Sequence, residues 1–338
     1  MIRDAIAIAL GGSDLSCSQA ASVIHEIISG EATDGQIGAF LTALQTKGPA
    51  TDEIWAFARA MRESAIPFCP PVPGMAIDTC GTGGDNSRSF NISTSAAFVV
   101  AGAGVPVVKH GNRSASGRCG SADVLESLGM NITLSPARNR EIMERTGIVF
   151  LFAPLYHPAM GRVSGVRREI GIRTVFNLLG PLTNPACTGA QLIGVYSPEL
   201  TGTFCEVLRR LGTVRGMVVH GNGMDEITTT GTTNFAELKD GILNYGSISC
   251  LEYGIPEALP EDIAGGDKMQ NARILTGVLE GERGACRDIV IMNAGAALYT
   301  AGKAGSIRDG IDAAERSIDT GNAMDKLGSL IEVAGEMQ

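Results

Sequence analysis

Apolar residues recur at helical spacing through roughly the first 65 positions. Ile37, Phe40, Leu41 and Leu44 line one face of a run that opens at Thr33-x-x-Gln36 and stops at Lys47-Gly48. Ser16-x-x-Gln19 has the same capping-box spacing and opens an earlier run. Lys47 suits a helix's last turn and Gly48 its stop, whereas Asp52 and Glu53 suit a first turn after Thr51. Ile54, Phe57 and Met61 then continue a helical stripe, until four prolines between Pro67 and Pro73 mark a linker. The pattern predicts a small all-helical unit over residues 1–72.

Beyond the linker the rhythm changes. Short apolar runs at 76–78, 105–108, 149–152, 192–196 and 217–220 read as buried strands. Helical segments at 121–128 and 204–211 lie between them, and 307–318 and 324–333 close the chain. Strands alternating with helices predict an α/β domain with a central, largely parallel sheet. A length of 338 residues accommodates two domains at about 150 residues each. A hydrophobic share of 44% with 19% charged residues excludes a disordered chain. No apolar run approaches the ~20 residues that span a bilayer. The net charge of −9 repels a nucleic-acid backbone. Eight cysteines without a Cys-x-x-Cys pair indicate neither a disulfide framework nor a zinc site, so the expected compartment is the cytoplasm.

Forty-four glycines are about twice the usual ~7%. They are densest in Asp78-Thr-Cys-Gly-Thr-Gly-Gly-Asp85, which runs into Asn86-Ser-Arg-Ser-Phe90 and Asn91-Ile-Ser-Thr94. A strand, a glycine turn and a hydroxyl-rich helix start form an anion site, because backbone N–H groups converge where the helix dipole is positive. The pattern lacks the last glycine of a dinucleotide fingerprint and the Lys-Ser/Thr of a Walker loop. A bare turn before a capped helix would look the same. Lys109-His-Gly-Asn-Arg-Ser-Ala-Ser116 changes the picture, placing two cations, an amide and two hydroxyls after the 105–108 strand, where α/β proteins bind ligands. Two such loops after adjacent strands favour a polyphosphate pocket. Asp225-Glu226, after the 217–220 strand, then offers hard oxygen ligands suited to Mg²⁺. Arg167 or Arg168 has the planar fork that clamps a carboxylate, although helical arginines are more often surface ion-pair partners.

Taken together, Gly81-Thr-Gly-Gly-Asp85, Asn91-Ile-Ser-Thr94, Lys109-His-Gly-Asn-Arg113, Ser121-Ala-Asp-Val-Leu125, Phe176-Asn-Leu-Leu-Gly-Pro-Leu-Thr-Asn-Pro185 and Asp225-Glu226 resemble the anthranilate phosphoribosyltransferase family. The likeness covers nearly the whole chain, including Asn293-Ala-Gly-Ala-Ala-Leu. It implies a nucleoside phosphorylase-like fold. Residues 1–72, with about 165–185 returning, would form the helical domain; 73–164 and 186–338 would form the α/β domain. It implies phosphoribosyl transfer to the amine of anthranilate in tryptophan biosynthesis, by a cytoplasmic homodimer with two Mg²⁺ ions per subunit. Gly81, Gly84, Asp85, Ser89, Asn91, Ile92, Ser93 and Thr94 would surround phosphoribosyl pyrophosphate. Lys109, His110, Gly111, Asn112, Arg113, Ser114, Ala115, Ser116, Gly117 and Ser121 would wrap it from the other side. Ser93, Asp225 and Glu226 would hold the metal, and Gly81, Asn112 and Arg167 would place anthranilate. Lys109 and Arg113 would stabilise the leaving charge, with His110 a candidate for the amine proton.

Gly117 and Cys119 depart from the family, which commonly has Ser at both positions. A missing hydroxyl at Gly117 implies weaker phosphate binding without loss of activity. Two rival readings are a pyrimidine nucleoside phosphorylase-like enzyme of the same architecture and a non-catalytic homologue that binds nucleic acid. The intact glycine and Asp-Glu motifs weigh against the first, and the net charge of −9 against the second.

Overall fold

The computed structural model describes residues 1–114 and 119–336. Four helices open the chain: α1 (Ile2–Leu10), α2 (Cys17–Ser29), α3 (Asp34–Lys47) and α4 (Thr51–Glu63). Both capping boxes form. Gln19 N donates to Ser16 Oγ and Gln36 N to Thr33 Oγ1, each at 3.3 Å, and both cap N–H groups donate back to the glutamines at 2.9 Å. Each box satisfies two helix-end donors that would otherwise need water.

The α/β part runs β1 (Ile77–Gly81), α5 (Ile92–Gly102), β2 (Val107–Gly111), α6 (Ser121–Ser127), α7 (Pro136–Thr146) and β3 (Ile148–Phe152). Three short helices follow, α8 (Ala153–Tyr156), α9 (Gly161–Ile170) and α10 (Val175–Leu179). The chain then makes β4 (Ala190–Gly194), α11 (Leu200–Arg210), β5 (Arg215–Gly221), β6 (Thr232–Lys239) and β7 (Ile242–Ser249). It closes with α12 (Lys268–Leu279), α13 (Ala285–Thr300), α14 (Ile307–Asp319) and α15 (Asn322–Glu336). The sheet has the order β3-β2-β1-β4-β5-β6-β7, with the first five strands parallel and the last two added antiparallel. No described helix is long and apolar enough to cross a membrane.

The β6–β7 hairpin is absent from the strand pattern read above. Its local signal exists: Asp240 and Gly241 both take positive φ (53° and 76°), as a type I′ hairpin turn demands. The alternation around it is weak because most of β7 is exposed and half polar.

Two apolar clusters hold the fold. One packs α5, α13 and α15 with β2 and β3. In the other, α1–α4 share a continuous core with α9, α10, α11 and residues from β4, β5 and β6. Contacts of α9 with α3 and of α10 with α4 bring the middle of the chain back onto the opening helices. The cleft that results lies where the strands end, and four of the five parallel strands (β1, β2, β4 and β5) end on glycine.

Candidate active site at the carboxyl ends of the strands

A cleft of about 1110 Å³ opens there. Every described residue assigned above to substrate or metal lines it, from Gly81 to Glu226. Ala115, Ser116 and Gly117 lie outside the described residues. Between β1 and α5 the loop carries positive φ at Gly83, Gly84, Asn86 and Arg88 (68°, 72°, 63° and 57°), a curl that turns N–H groups inward. A backbone bridge from Ser89 to Ala264 and the bond from Gly265 N to Arg88 O (2.8 Å) anchor it. Asn91 caps α5, so Ile92, Ser93 and Thr94 form the helix's first turn, where the dipole favours an anion.

Asp225 and Glu226 meet this loop from the segment after β5, at the same edge of the sheet. Asp225 Oδ2 accepts from Gly83 N at 2.6 Å, and Asp225 N donates to Asp85 Oδ2 at 3.2 Å. Glu226 Oε1 accepts from Ser93 N at 3.1 Å. The approach needs glycine: a Cβ on Gly194 would stand 1.5 Å from the Asp225 carbonyl oxygen, and one on Gly81 2.3 Å from Asp225 Oδ2. Burial, then the neighbouring carboxylates, push both acids above their ordinary range, Asp85 acting on Asp225 and Asp225 on Glu226. Hard oxygens crowded with like charge suit a hard cation. Among the described residues no three His, Cys, Asp or Glu side chains close a cage by themselves. A cation held here would take the rest of its shell from diphosphate and water oxygens, as Mg²⁺ does.

Lys109 supplies the nearest positive charge. It is a strand residue, because β2 runs to Gly111, beyond the end expected from the sequence. Its Nζ donates to Thr79 O at 2.5 Å and to Ser93 Oγ at 3.3 Å, with the side chain 4% exposed. Successive strand side chains point to opposite faces, so Lys109 reaches the acid wall while His110 turns the other way. One strand thus serves two chemistries.

On that other wall the rings of His110 and His157 lie 5.3 Å apart. His157 Nε2 donates to Thr183 O at 3.0 Å, whereas His110 Nε2 is buried with no partner among the described residues. Burial first, then His157, press the His110 imidazole down to about 3. A neutral ring of that basicity accepts a hydrogen bond at Nε2, which weighs against His110 as the store for the amine proton. The linkage has a definite sign. As pH falls from the ordinary 6.5 toward 3, the unfolded chain gains a proton that the native ring refuses, so stability falls. Between pH 7.5 and 5 the wild type should lose about 2 kcal/mol relative to His110→Phe. Parallel urea titrations of the two proteins check this, and a constant difference between them would refute it.

Arg167, half-buried on α9, faces the same wall. Its Nη2 donates to Asn177 Oδ1 at 3.3 Å, its guanidinium lies 5.9 Å from the Phe176 ring centroid, and no carboxylate pairs with it among the described residues. Arg113 differs. Its Nη1 and Nη2 both donate to Glu126, Nη2 at 2.7 Å, and Nη1 lies 3.3 Å from Asp123. In this arrangement Arg113 is paired with two acids, whereas Lys109 points at the wall that carries Ser93 and Glu226. Asp123 Oδ2 also accepts from Ser114 N (3.1 Å) and Gly120 N (2.8 Å), and Ser121 Oγ donates to Asn112 O at 3.3 Å. Several contributors carry no local sequence signal. Asn271 Nδ2 donates to Asn91 Oδ1 at 2.9 Å, and Arg173 donates to Gly84 O while its guanidinium lies 4.3 Å from the Tyr196 ring centroid.

Residues 74–324 match the glycosyl transferase family a/b domain, and residues 3–65 the glycosyl transferase family helical bundle domain. The chain is 54% identical to the anthranilate phosphoribosyltransferase of Methanocorpusculum labreanum, over 99% of this chain and 98% of that one. It is similar to the crystal structure of anthranilate phosphoribosyltransferase from Thermus thermophilus, with 41% identity and a TM-score of 0.93 over 98% and 99% of the two chains. It is also similar to the Saccharomyces cerevisiae enzyme in complex with PRPP and Mg, with 27% identity and a TM-score of 0.91 over 99% and 98%.

Proposed function

The chain belongs to the anthranilate phosphoribosyltransferase family, and from that premise we infer how its own residues carry the reaction. It transfers the phosphoribosyl group of phosphoribosyl pyrophosphate to the amine of anthranilate in tryptophan biosynthesis, releasing pyrophosphate. The observation that supports our assignment of roles is one cleft with two unlike walls. Acids, a buried lysine and a helix N-terminus line one; a guanidinium without a carboxylate partner among the described residues and a buried imidazole line the other.

The diphosphate lies against the N–H groups of the loop from Gly81 through Gly84 and Asp85 to Ser89, and against the α5 start at Asn91 to Thr94. Lys109 offsets its charge where it grows as C1 of the ribose loses the C–O bond. Gly111, Asn112, Ser114 and Ser121 close the opposite side. Bound by Ser93, Asp225 and Glu226, two Mg²⁺ ions per subunit supply the Lewis acid that stabilises the departing diphosphate. Arg167 pairs with the anthranilate carboxylate, and Asn177 holds that guanidinium in place. Asn112 and Gly81 line the meeting point, and His110 Nε2 accepts a hydrogen bond from the amine as its lone pair attacks C1. The amine proton then leaves to solvent. With the amine neutral at pH 7, holding it in line supplies much of the rate.

The same reading assigns residues 1–72, with about 165–185 returning, to the helical domain, and 73–164 and 186–338 to the α/β domain. The contacts of α9 and α10 with α3 and α4 support it. A cytoplasmic homodimer rests on the family likeness. A net charge of −9 supports the absence of a nucleic-acid partner.

Loss of anthranilate fluorescence on adding phosphoribosyl pyrophosphate and Mg²⁺ tests the activity. A decay abolished by omitting either addition is the expected result; no decay from folded protein would overturn the reading. The same assay tests Arg167. A charge-assisted hydrogen bond is worth roughly 1.5–3 kcal/mol, so Arg167→Ala should raise KM for anthranilate at least about tenfold. KM for phosphoribosyl pyrophosphate should stay within about twofold, since that substrate is held by the other wall. Unchanged anthranilate binding would remove Arg167 from this role.

A further inference from the structure

The Asn293-Ala-Gly-Ala-Ala-Leu segment sits in α13, packed beneath the sheet. Asn293 is 0% exposed. Its Oδ1 accepts from Ile227 N at 2.9 Å, and its Nδ2 donates to Ile227 O at 2.8 Å and to Ile289 O at 2.9 Å. One carboxamide therefore satisfies both backbone polar groups of a residue that belongs to no strand. Ile227 directly follows Asp225 and Glu226. A buried amide within a helix costs free energy unless all its hydrogen bonds are made, so an apolar side chain would be the cheaper filler. The glycine two residues on has a separate reason, close packing, since a Cβ there would stand 2.7 Å from Ile311.

We propose that Asn293 is a positioning residue for the metal-holding carboxylates, fixing their backbone through Ile227. The proposal rests on the reading that Asp225 and Glu226 hold Mg²⁺. The segment is also held by the Gly221–Met224 backbone pair (3.0 and 2.9 Å), by Asp225 N donating to Asp85 Oδ2 at 3.2 Å and by Thr228 N donating to Thr233 Oγ1 at 3.0 Å, with close approach on its remaining sides. Gly194 lies under the Asp225 carbonyl, and a Cβ on Gly221 would stand 2.4 Å from the Glu226 carbonyl oxygen. Asn293 adds the bonds to Ile227, the residue next to Glu226, and without them Ile227 N and O lose these partners in a buried setting. Both carboxylates then lose the alignment that brings Glu226 to Ser93 N and Asp225 to Gly83 N.

The test is calorimetric titration with phosphoribosyl pyrophosphate, once in Mg²⁺ and once in EDTA, on wild type, Asn293→Leu and Asn293→Ser. Removing an outer partner of metal ligands costs roughly 10–100-fold in metal affinity. The affinity gained from Mg²⁺ should therefore shrink at least about tenfold in both variants, while affinity in EDTA stays within about twofold of wild type. KM for anthranilate should not move, because Arg167 lies on the other wall. Asn293→Ser keeps a hydroxyl for Ile227 and carries the comparison if Asn293→Leu does not fold. A Mg²⁺ gain equal to wild type in the folded variants overturns the proposal, as does an equal loss with and without metal, which marks a purely structural amide. Should wild type itself bind equally in Mg²⁺ and EDTA, the metal reading fails instead.

Discussion

Replacing Asp225 by Asn and Glu226 by Gln together should lower kcat/KM for phosphoribosyl pyrophosphate by about a thousandfold or more. Metal stabilisation of transition-state charge is worth several kcal/mol, and about 4 kcal/mol corresponds to that factor. The amides keep the shape, and their oxygens can still accept from Gly83 N and Ser93 N. Only the charge is lost. Because burial and the neighbouring acids hold both carboxyls above their ordinary range, their charges oppose folding at neutral pH. The inactive variant should therefore melt no lower than wild type. Paired Mg²⁺ titrations and melting curves check this. A normal Mg²⁺ response would end the metal assignment, and a large drop in melting temperature would end the view that the acids are retained at a cost in stability.

Lys109→Ala should do the reverse, losing activity and stability together. The ammonium is buried between Thr79 O and Ser93 Oγ and offsets the charges of Asp78 and Glu226. Removing one partner from a buried charge arrangement costs roughly 3–5 kcal/mol, a fall on the order of 10 °C in melting temperature. Asp78 gives that loss a pH dependence. Burial already pushes its carboxyl up to about 6, and losing Lys109 pushes it further. A carboxyl raised in the native state takes up its proton there first, so its contribution to stability grows as pH falls through the raised value. Part of the deficit of Lys109→Ala should therefore disappear between pH 7.5 and 5.5. Melting curves at the two pH values decide it, and a deficit that widens in acid would exclude Asp78 as its source.

The helical start was legible because it depends on contacts three residues apart. Ser16 with Gln19 and Thr33 with Gln36 form the capping boxes that their spacing announces. The candidate site was legible for a related reason. A glycine loop, a hydroxyl-rich helix start and adjacent acids each follow a strand, and parallel strands deliver such loops to one edge. Where the sequence is silent, the deciding partner is distant in the chain or the local signal is faint. Glu126 claims Arg113 by folding α6 back over the loop, and the depressed basicity of His110 comes from burial beside His157. The β6–β7 hairpin escaped because an exposed edge strand shows little alternation.

Sequence by itself determined the capped opening helices, the five parallel strands and which side chains bring charge, because propensity, capping and turn chemistry act over a few residues. Only the tertiary structure decided which charges stay free. The strand order puts Lys109 beside the acids and His110 on the opposite wall, and glycines at 81, 194 and 221 let the Asp225-Glu226 backbone descend onto the sheet. Asn293 reaches that backbone from 66 residues away. Such relations depend on burial and on distance across the fold, and neither is a property of neighbouring residues in the chain.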